Sequence, residues 1–396
     1  PGGVPTEGGR GGRPLLATGR AGYLPRARTR PREAAPPTPS PMRPRPSRAP
    51  LLPALAALLL GGIAVAGCGQ QQALGKANSL IVVSSSDSLW LEVRDTTFTA
   101  LEQRIFTVRP ENKFYVQPVD TAQASDFQRL RTFKQVVVFG TADNRFVREV
   151  VDAADAGEVN PPAVVNARDV WARNQSVTAV VLEPEDQAAS WRAQLAGLAS
   201  RLDDRYRDFI LSRMYVSGPD TAAMASLRDR FGFGLVFPQV YDVMVRGDGE
   251  GPVIVRNDNP RPADLIREVL VGWRTPPLDS LTPGAAYAWR AAVDSVHYGV
   301  PQAMDTTRSR VTRMEVGGRP ALEVTGAWSD EGTDYPAGGP FVARLVQCPE
   351  RTFFLDAWVY APGDDKYQYM VQVRHILDSF TCGAPPSLPD AASGGG

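Results

Sequence analysis

Between Leu80 and Phe380 the chain alternates short apolar runs with longer segments whose apolar residues recur every three or four positions. The first kind suits strands and the second suits amphipathic helices. LIVVSS (80–85), KFYVQPV (113–119), KQVVVFG (134–140) and VTAVVLE (177–183) predict strands. Trp90, Val93, Thr97, Leu101 and Ile105 fall at helical spacing, and NRFVREVVDAAD (144–155) predicts a second helix. After Glu185, Trp191, Leu195, Leu198, Leu202, Tyr206 and Phe209 form one stripe of a long helix. Its charges, among them Asp203, Asp204, Arg205 and Arg207, read as the solvated face.

From about 214 the rhythm changes. A short helix at 220–231 leads into FGLVFP (233–238), YDVMVRG (241–247), PVIVRND (252–258) and REVLVGWRT (267–275). A segment rich in Ala, Trp and Tyr spans about 278–297. RVTRMEVGG, RPALEVTGAW, FVARLVQC and TFFLDAWVYAPG then alternate apolar and polar positions between Gly/Pro-rich turns, as an antiparallel meander does. A closing helix over about 364–380 carries Val373, Ile376, Leu377 and Phe380 on one face, with Asp364 as its expected N-cap. The pattern predicts an α+β protein. An N-terminal α/β layer domain (80–213) precedes an antiparallel-sheet α+β domain (214–383) closed by the C-terminal helix.

The sequence before Leu80 is of another kind. Residues 1–41 lack hydrophobic periodicity and read as a disordered or mis-assigned upstream segment. Met42 opens a pattern of Arg43, Arg45 and Arg48, then an apolar run at 49–66, which is the layout of a signal peptide over 42–67. Val65-Ala66-Gly67-Cys68 resembles the bacterial lipobox. That resemblance implies cleavage after Gly67 and a lipid on Cys68, with Gly69 in the next position favouring the outer membrane. Pro53 and Gly61-Gly62 argue against an uncleaved membrane helix. Residues 68–79 read as a flexible polar tether, and the tail at 384–396 as disordered.

Charge sharpens the picture. The chain has 43 basic and 43 acidic side chains, but residues 1–67 hold ten Arg and two Glu. Residues 68–396 are left with 33 basic and 41 acidic groups, a formal net of −8. No basic footprint for a nucleic acid remains. Four Lys beside 39 Arg reflect codon usage in a GC-rich genome and say nothing of chemistry.

Candidate chemistry is sparse. There is no phosphate-binding G-x-x-x-x-G-K loop, no G-x-G-x-x-G after a strand, no G-x-S-x-G and no H-E-x-x-H. The two histidines, His297 and His375, have no second ligand at metal spacing. No catalytic residue, metal or cofactor is therefore expected. Ser84-Ser85-Ser86-Asp87 sits between a strand and a helix, where open α/β sheets bind ligands and where plain N-capping is equally served. Gly338-Gly339-Pro340-Phe341 reads as a positive-φ turn opening a strand, or as a recognition loop. Trp328, Tyr335, Phe341, Trp358 and Tyr360 line either a peptide or glycan groove or the core. Arg308, Arg310 and Arg313 make a basic edge that protects an exposed strand.

GRPALEVTGAW, GGPFVARLV and LDAWVYAPGDDKYQYMVQVRHILDSF together resemble the domain-of-unknown-function 4837 family of envelope lipoproteins. The likeness extends over 68–383 and is strongest at Trp328, Gly338–Phe341, Tyr360–Pro362, Lys366 and Ile376–Phe380; Ala337 departs from it. FGLVFPQVYDVM with the terminal helix also resembles the PsbP-like α+β sandwich. These resemblances imply architecture and location, and no activity. The expected protein is a lipid-anchored, non-catalytic binding or scaffold module on the periplasmic face of the outer membrane. It would meet the membrane through Cys68 and an envelope protein or glycan as partner. A periplasmic enzyme, or a small-ligand carrier binding between the two halves, is the alternative. In an oxidising compartment the two remaining cysteines, Cys348 and Cys382, are expected to pair, pinning the last helix to its sheet.

Overall fold

The structure, a computed structural model, describes residues 70–119, 124–247, 251–259, 265–298, 302–330 and 337–383. Gly67, Cys68, the leader, Tyr335 and the tail from 384 lie outside the described residues. Chain order in the first half runs β1 (Ser79–Ser84), α1 (Asp87–Leu101), β2 (Arg104–Phe106), β3 (Pro110–Asn112), β4 (Tyr115–Pro118) and α2 (Ala124–Leu130). It continues with β5 (Gln135–Gly140), α3 (Arg145–Ala153), β6 (Ala163–Arg168), β7 (Ser176–Val181) and α4 (Gln187–Met214).

These strands form a five-stranded sheet in the order β4-β1-β5-β7-β6, parallel except for β6 at one edge. Strand β1 is apolar at every central position because both its faces are covered. Leu80 and Val82 pack with α1 and α4, and Ile81 and Val83 pack with α2 and α3. The stripe of α4 is buried as its spacing predicts, from Trp191 to Ile210. Its polar side departs from a solvated face. Asp203 is only 14% exposed and takes an ion pair from Lys113 at 3.1 Å. Arg205 is half-buried and donates to the hydroxyls of Ser176 and Thr178.

The second half runs α5 (Thr221–Phe231), β8 (Phe233–Gly234), β9 (Asp242–Val245), β10 (Val253–Asn257), β11 (Ile266–Arg274), α6 (Pro283–His297) and β12 (Ala303–Met304). It ends with β13 (Arg310–Val316), β14 (Arg319–Ser329), β15 (Gly338–Gln347), β16 (Thr352–Tyr360), α7 (Tyr367–Asp378) and β17 (Thr381–Cys382). The antiparallel sheet has the order β12-β14-β15-β16-β11-β10-β9, with β13 also on β14. Alternation along β16 divides two cores. Phe353, Leu355, Ala357 and Val359 meet α5 and α7, whereas Phe354 and Trp358 meet α6. The sheet is thus covered by helices on both faces. Gly232 ends α5 in the left-handed conformation (φ 69°), the usual helix stop. FGLVFP contributes only the two-residue β8, which pairs with β17.

Helix α7 belongs to both halves. Tyr367 and Val371 join the core of the parallel sheet, and Val373, Ile376 and Leu377 that of the antiparallel one. The segment leading into it is a clasp. Glu111 accepts the Lys366 backbone N–H at 2.6 Å, its Nζ at 3.1 Å and the Thr107 hydroxyl at 2.9 Å. The Tyr367 hydroxyl donates to Asp203, and that of Tyr115 to Asp365 at 2.9 Å. Asp364 is not the N-cap. Lys366 holds that position without a side-chain bond, and the Asp364 carboxylate accepts from Tyr369 instead.

Residues 70–76 do not hang free as a tether. They lie across the starts of β5 and β7. The N–H groups of Ala73 and Leu74 donate to Arg173 and Thr132, and Lys134 donates back to Leu74. The polar composition that suggested a coil serves a backbone-bonded strap. No helix among the described residues is long and apolar enough to cross a membrane.

Cys348 and Cys382 form the expected disulfide, with Cα atoms 5.9 Å apart across 34 residues. Removing it with paired Cys→Ser substitutions is expected to lower unfolding free energy by about 3–4 kcal/mol in the chain-entropy treatment. Urea unfolding measures the loss.

Asp203 supplies a pH dependence. Burial acts to raise its pKa, but hydrogen bonds from Tyr367 and Lys113 and the charges of Lys113 and Arg207 outweigh it and hold the carboxyl below the ordinary range. A depressed carboxylate stabilises the fold above its unfolded pKa, about 3.9, and that gain is lost as pH falls through the folded value. Asp203→Asn is therefore expected to cost about 1–2 kcal/mol at pH 7. The gap between variant and wild type should narrow below about pH 4, read from urea midpoints.

Candidate functional site

The C-terminal end of α4 builds one wall of a groove. After Met214 the chain turns through Val216–Gly218 and is stitched to 236–239: Asp220 N–H donates to Phe237, Gln239 N–H to Gly218 and the Tyr215 hydroxyl to Val236. The opposite wall is made by the ends of β10 and β11 and by α7. The enclosed volume is about 360 Å³, within the range of small-molecule sites. Arg213, Met214, Val216 and Ser217 line one side, and Val240 and Tyr241 the floor and rim. Asn257, Asn259, Arg267 and Gln372 line the other.

Arg267 organises that side. Its Nη1 donates to Gln372 Oε1 at 2.9 Å, and its Nη2 to Asn257 Oδ1 at 2.8 Å and the Asn259 carbonyl at 3.3 Å. Its guanidinium lies 5.9 Å from the Tyr241 ring and 5.7 Å from that of Tyr369. Two buried donors are left over: the Arg267 Nε and the Tyr241 hydroxyl have no hydrogen-bond partner among the described residues. Tyr241 is 3% exposed, and burial pushes its pKa up to about 12, with the Arg267 charge acting the other way. Sequence reasoning missed this site. Its residues run from 213 to 372 without a motif, and only YDVM and REVL, read as plain strands, hinted at it.

The predicted ligand loop Ser84–Asp87 does lie at the carboxyl end of the parallel sheet, beside the switch in connection direction between β1 and β5. Three helix N-termini meet there, capped by Ser86, Asn144 and Asp186. The loop's hydroxyls are engaged within the protein. Ser84 donates to the Ser86 carbonyl at 2.8 Å, Ser85 to Gln187 at 3.3 Å, and Ser86 accepts from Leu89 N–H at 3.2 Å. A Cβ at Gly140 would stand 2.6 Å from that of Ser85, so the crevice is closed by loop packing. Asp87 is exposed in the first turn of α1.

The predicted recognition surface is a correction. Trp328, Gly339, Pro340 and Phe341 are buried, with Trp358, beneath α6, and Gly338 and Tyr360 are half-buried. Trp328 and Trp358 meet edge to face at 5.5 Å. Nor is the Gly-Gly pair a positive-φ turn: it opens β15 between two neighbours. Gly339 is needed for a close approach instead, since a Cβ there would lie 1.8 Å from the Val359 carbonyl oxygen. Arg310 and Arg313 are exposed on the edge strand β13, and Arg308 precedes it.

Beneath α6 also lies a polar network that the sequence did not announce. Arg290 and Asp356, both fully buried, pair at 3.1 Å, and Arg290 donates to Gln302 at 2.7 Å. The Tyr298 hydroxyl donates to Asp356 at 2.5 Å. Burial pushes the Asp356 carboxyl up, and Arg290 pulls it down. His297 lines a separate pocket of about 150 Å³ with Trp273 and Trp289. His375 sits 5.6 Å from the Tyr215 ring. No group of metal-ligating side chains occurs among the described residues.

The fold and the groove define a mixed α+β protein. Its antiparallel sheet, sandwiched between helices, presents a polar-lined groove at the seam with an α/β layer. Residues 220–379, in the antiparallel half, match the model of the family described as domain of unknown function (DUF4837). No curated protein matches the chain. Among solved structures, a protein of Bacteroides thetaiotaomicron is similar at 10% identity and a TM-score of 0.23. The likeness covers 38% of this chain and 45% of that one, so the chain spans under half of that protein's length. LpqN of Mycobacterium tuberculosis, titled as involved in cell envelope biogenesis, is similar at 14% identity and a TM-score of 0.26, covering 38% and 82%. The cyanobacterial PsbP of Synechocystis sp. PCC 6803 is similar at 13% identity and 0.28, covering 38% and 86%. Likenesses of this size carry no functional argument.

Gly339→Ala is expected to destabilise by about 3 kcal/mol or more, because neither the Val359 backbone nor the Trp328 ring can yield. Gly363→Ala, whose Cβ meets nothing within 4 Å, is expected to be neutral within about 0.5 kcal/mol. Equilibrium unfolding of the two variants makes the comparison.

Proposed function

We propose that this chain is a lipid-anchored envelope protein, held by Cys68 at the periplasmic face of the outer membrane, that binds without transforming what it binds. The observation that carries the binding role is the pair of buried, unpartnered donors, Tyr241 Oη and Arg267 Nε, on side chains that line one groove. A buried donor without an acceptor costs about 1–3 kcal/mol, and a bound acceptor recovers it. The anchor is supported by Val65-Ala66-Gly67-Cys68 behind an Arg-flanked apolar run.

The groove's position favours one form of this role, that of a small-ligand carrier binding between the halves. Arg213 and Met214 come from α4 of the parallel layer, whereas Asn257, Arg267 and Gln372 come from the antiparallel one.

Intact-mass analysis of the detergent-extracted protein tests the anchor. The expected species begins at acylated Cys68, and Cys68→Ser is expected to move the protein out of the membrane fraction. A retained leader or an unmodified thiol at Cys68 overturns it.

A further inference from the structure

The groove's chemistry narrows its ligand. Among the described residues Arg213 and Arg267 are its charged lining residues, and no acidic side chain lines it. Its apolar part is at the rim, where Val216 and Val240 are 83% and 50% exposed, with Met214 buried behind them. A ligand matching this lining carries a negative group inward and an apolar body outward.

The donor count decides which negative group. Arg267 has committed both Nη2 hydrogens, to Asn257 and Asn259, and one Nη1 hydrogen to Gln372. The side-on fork through Nε and Nη2, the geometry that grips phosphate, is therefore closed. The donor atoms left with no partner among the described residues are Arg267 Nε and Tyr241 Oη, and one Nη1 hydrogen of Arg267 is also uncommitted. Two single donors on two residues match the two oxygens of one carboxylate. A phosphate would keep a third oxygen and further charge, to be met by the exposed Arg213 and the single Nη1 hydrogen of Arg267.

We infer that the groove binds the carboxylate of a small amphipathic acid, with Tyr241 Oη and Arg267 Nε each donating to one carboxylate oxygen and Met214, Val216 and Val240 covering the apolar body. This rests on the reading of the groove as a binding site and adds the class of ligand. Tyr241 and Arg267 are positioned for it from within the fold: the guanidinium is fixed by three acceptors, and the ring lies beside it. The guanidinium is thus held in place before the ligand arrives, which limits the ordering cost of binding.

The test is calorimetric titration of hexanoate, hexanol and hexyl phosphate into the full chain, for wild type and Tyr241→Phe. Hexanoate is expected to bind at least tenfold more tightly than hexanol, and Tyr241→Phe to weaken hexanoate about tenfold. The hydroxyl has no partner among the described residues, so the unliganded Phe variant should unfold at the same urea concentration as wild type or higher. That readout separates a ligand contact from a structural one. Equal hexanoate affinity in wild type and variant overturns the inference, as does hexanol binding as tightly as hexanoate. Tighter binding of hexyl phosphate overturns the carboxylate but leaves the groove as a binding site. Failure of all three to bind overturns both.

Discussion

Glu111 holds the two sheets in one arrangement. It is a buried carboxylate on a three-residue strand, and its partners come from across the seam: the Lys366 ammonium, the Lys366 backbone N–H and, locally, the Thr107 hydroxyl. Side chains of the pair are 5% and 4% exposed. An isolated charge at such a site is strongly destabilising, by about 3–5 kcal/mol when one partner is removed. The two halves are consequently favoured only in the register that brings residue 366 to residue 111. That register places α7 where it serves both cores, and α7 in turn carries Gln372 to Arg267.

Two kinds of buried polar chemistry coexist in the antiparallel half, and they differ in what they leave over. Under α6, Arg290, Asp356, Gln302 and Tyr298 bond among themselves, and Glu268 accepts from Arg256 and Trp358. Such a network is satisfied internally and fixes one packing of helix on sheet. On the other face Arg267 is held by three acceptors, yet its Nε has no partner among the described residues, nor has the Tyr241 hydroxyl. Trp328 Nε1 and Arg344 Nη1 are also without partners among the described residues, but neither residue lines the groove.

Much of the architecture was legible because the long elements bury a full face. β16, whose alternate residues feed two cores, and α4, whose stripe spans the parallel layer, could hardly be read otherwise. What escaped is short or polar. Hairpin β2–β3 and helix α2 are short and carry few apolar residues, and strand β6 is an antiparallel edge in an otherwise parallel sheet. Gly338-Gly339 misled because glycine serves close approach as well as positive φ, and only the Val359 carbonyl distinguishes the two. The groove was invisible for a related reason. An unpaired hydroxyl is a property of geometry, and Tyr241 in YDVM looks like any strand tyrosine.

The strap at 70–76 changes what an anchor at Cys68 would mean. Gly69 alone separates that cysteine from Gln70, whose side chain already bonds the Asp169 carbonyl at 2.8 Å. Two residues of extended chain reach about 7 Å, less than the thickness of one helix with its side chains. An acyl group there would leave the body no slack to swing on. The starts of β5 and β7 would rest against the headgroups, and the loop edge of the parallel sheet would point away from them. Encounters would then be confined to a thin layer over the lipid. The protein would find its ligands by lateral diffusion in two dimensions, meeting what emerges from the bilayer before what drifts through the compartment.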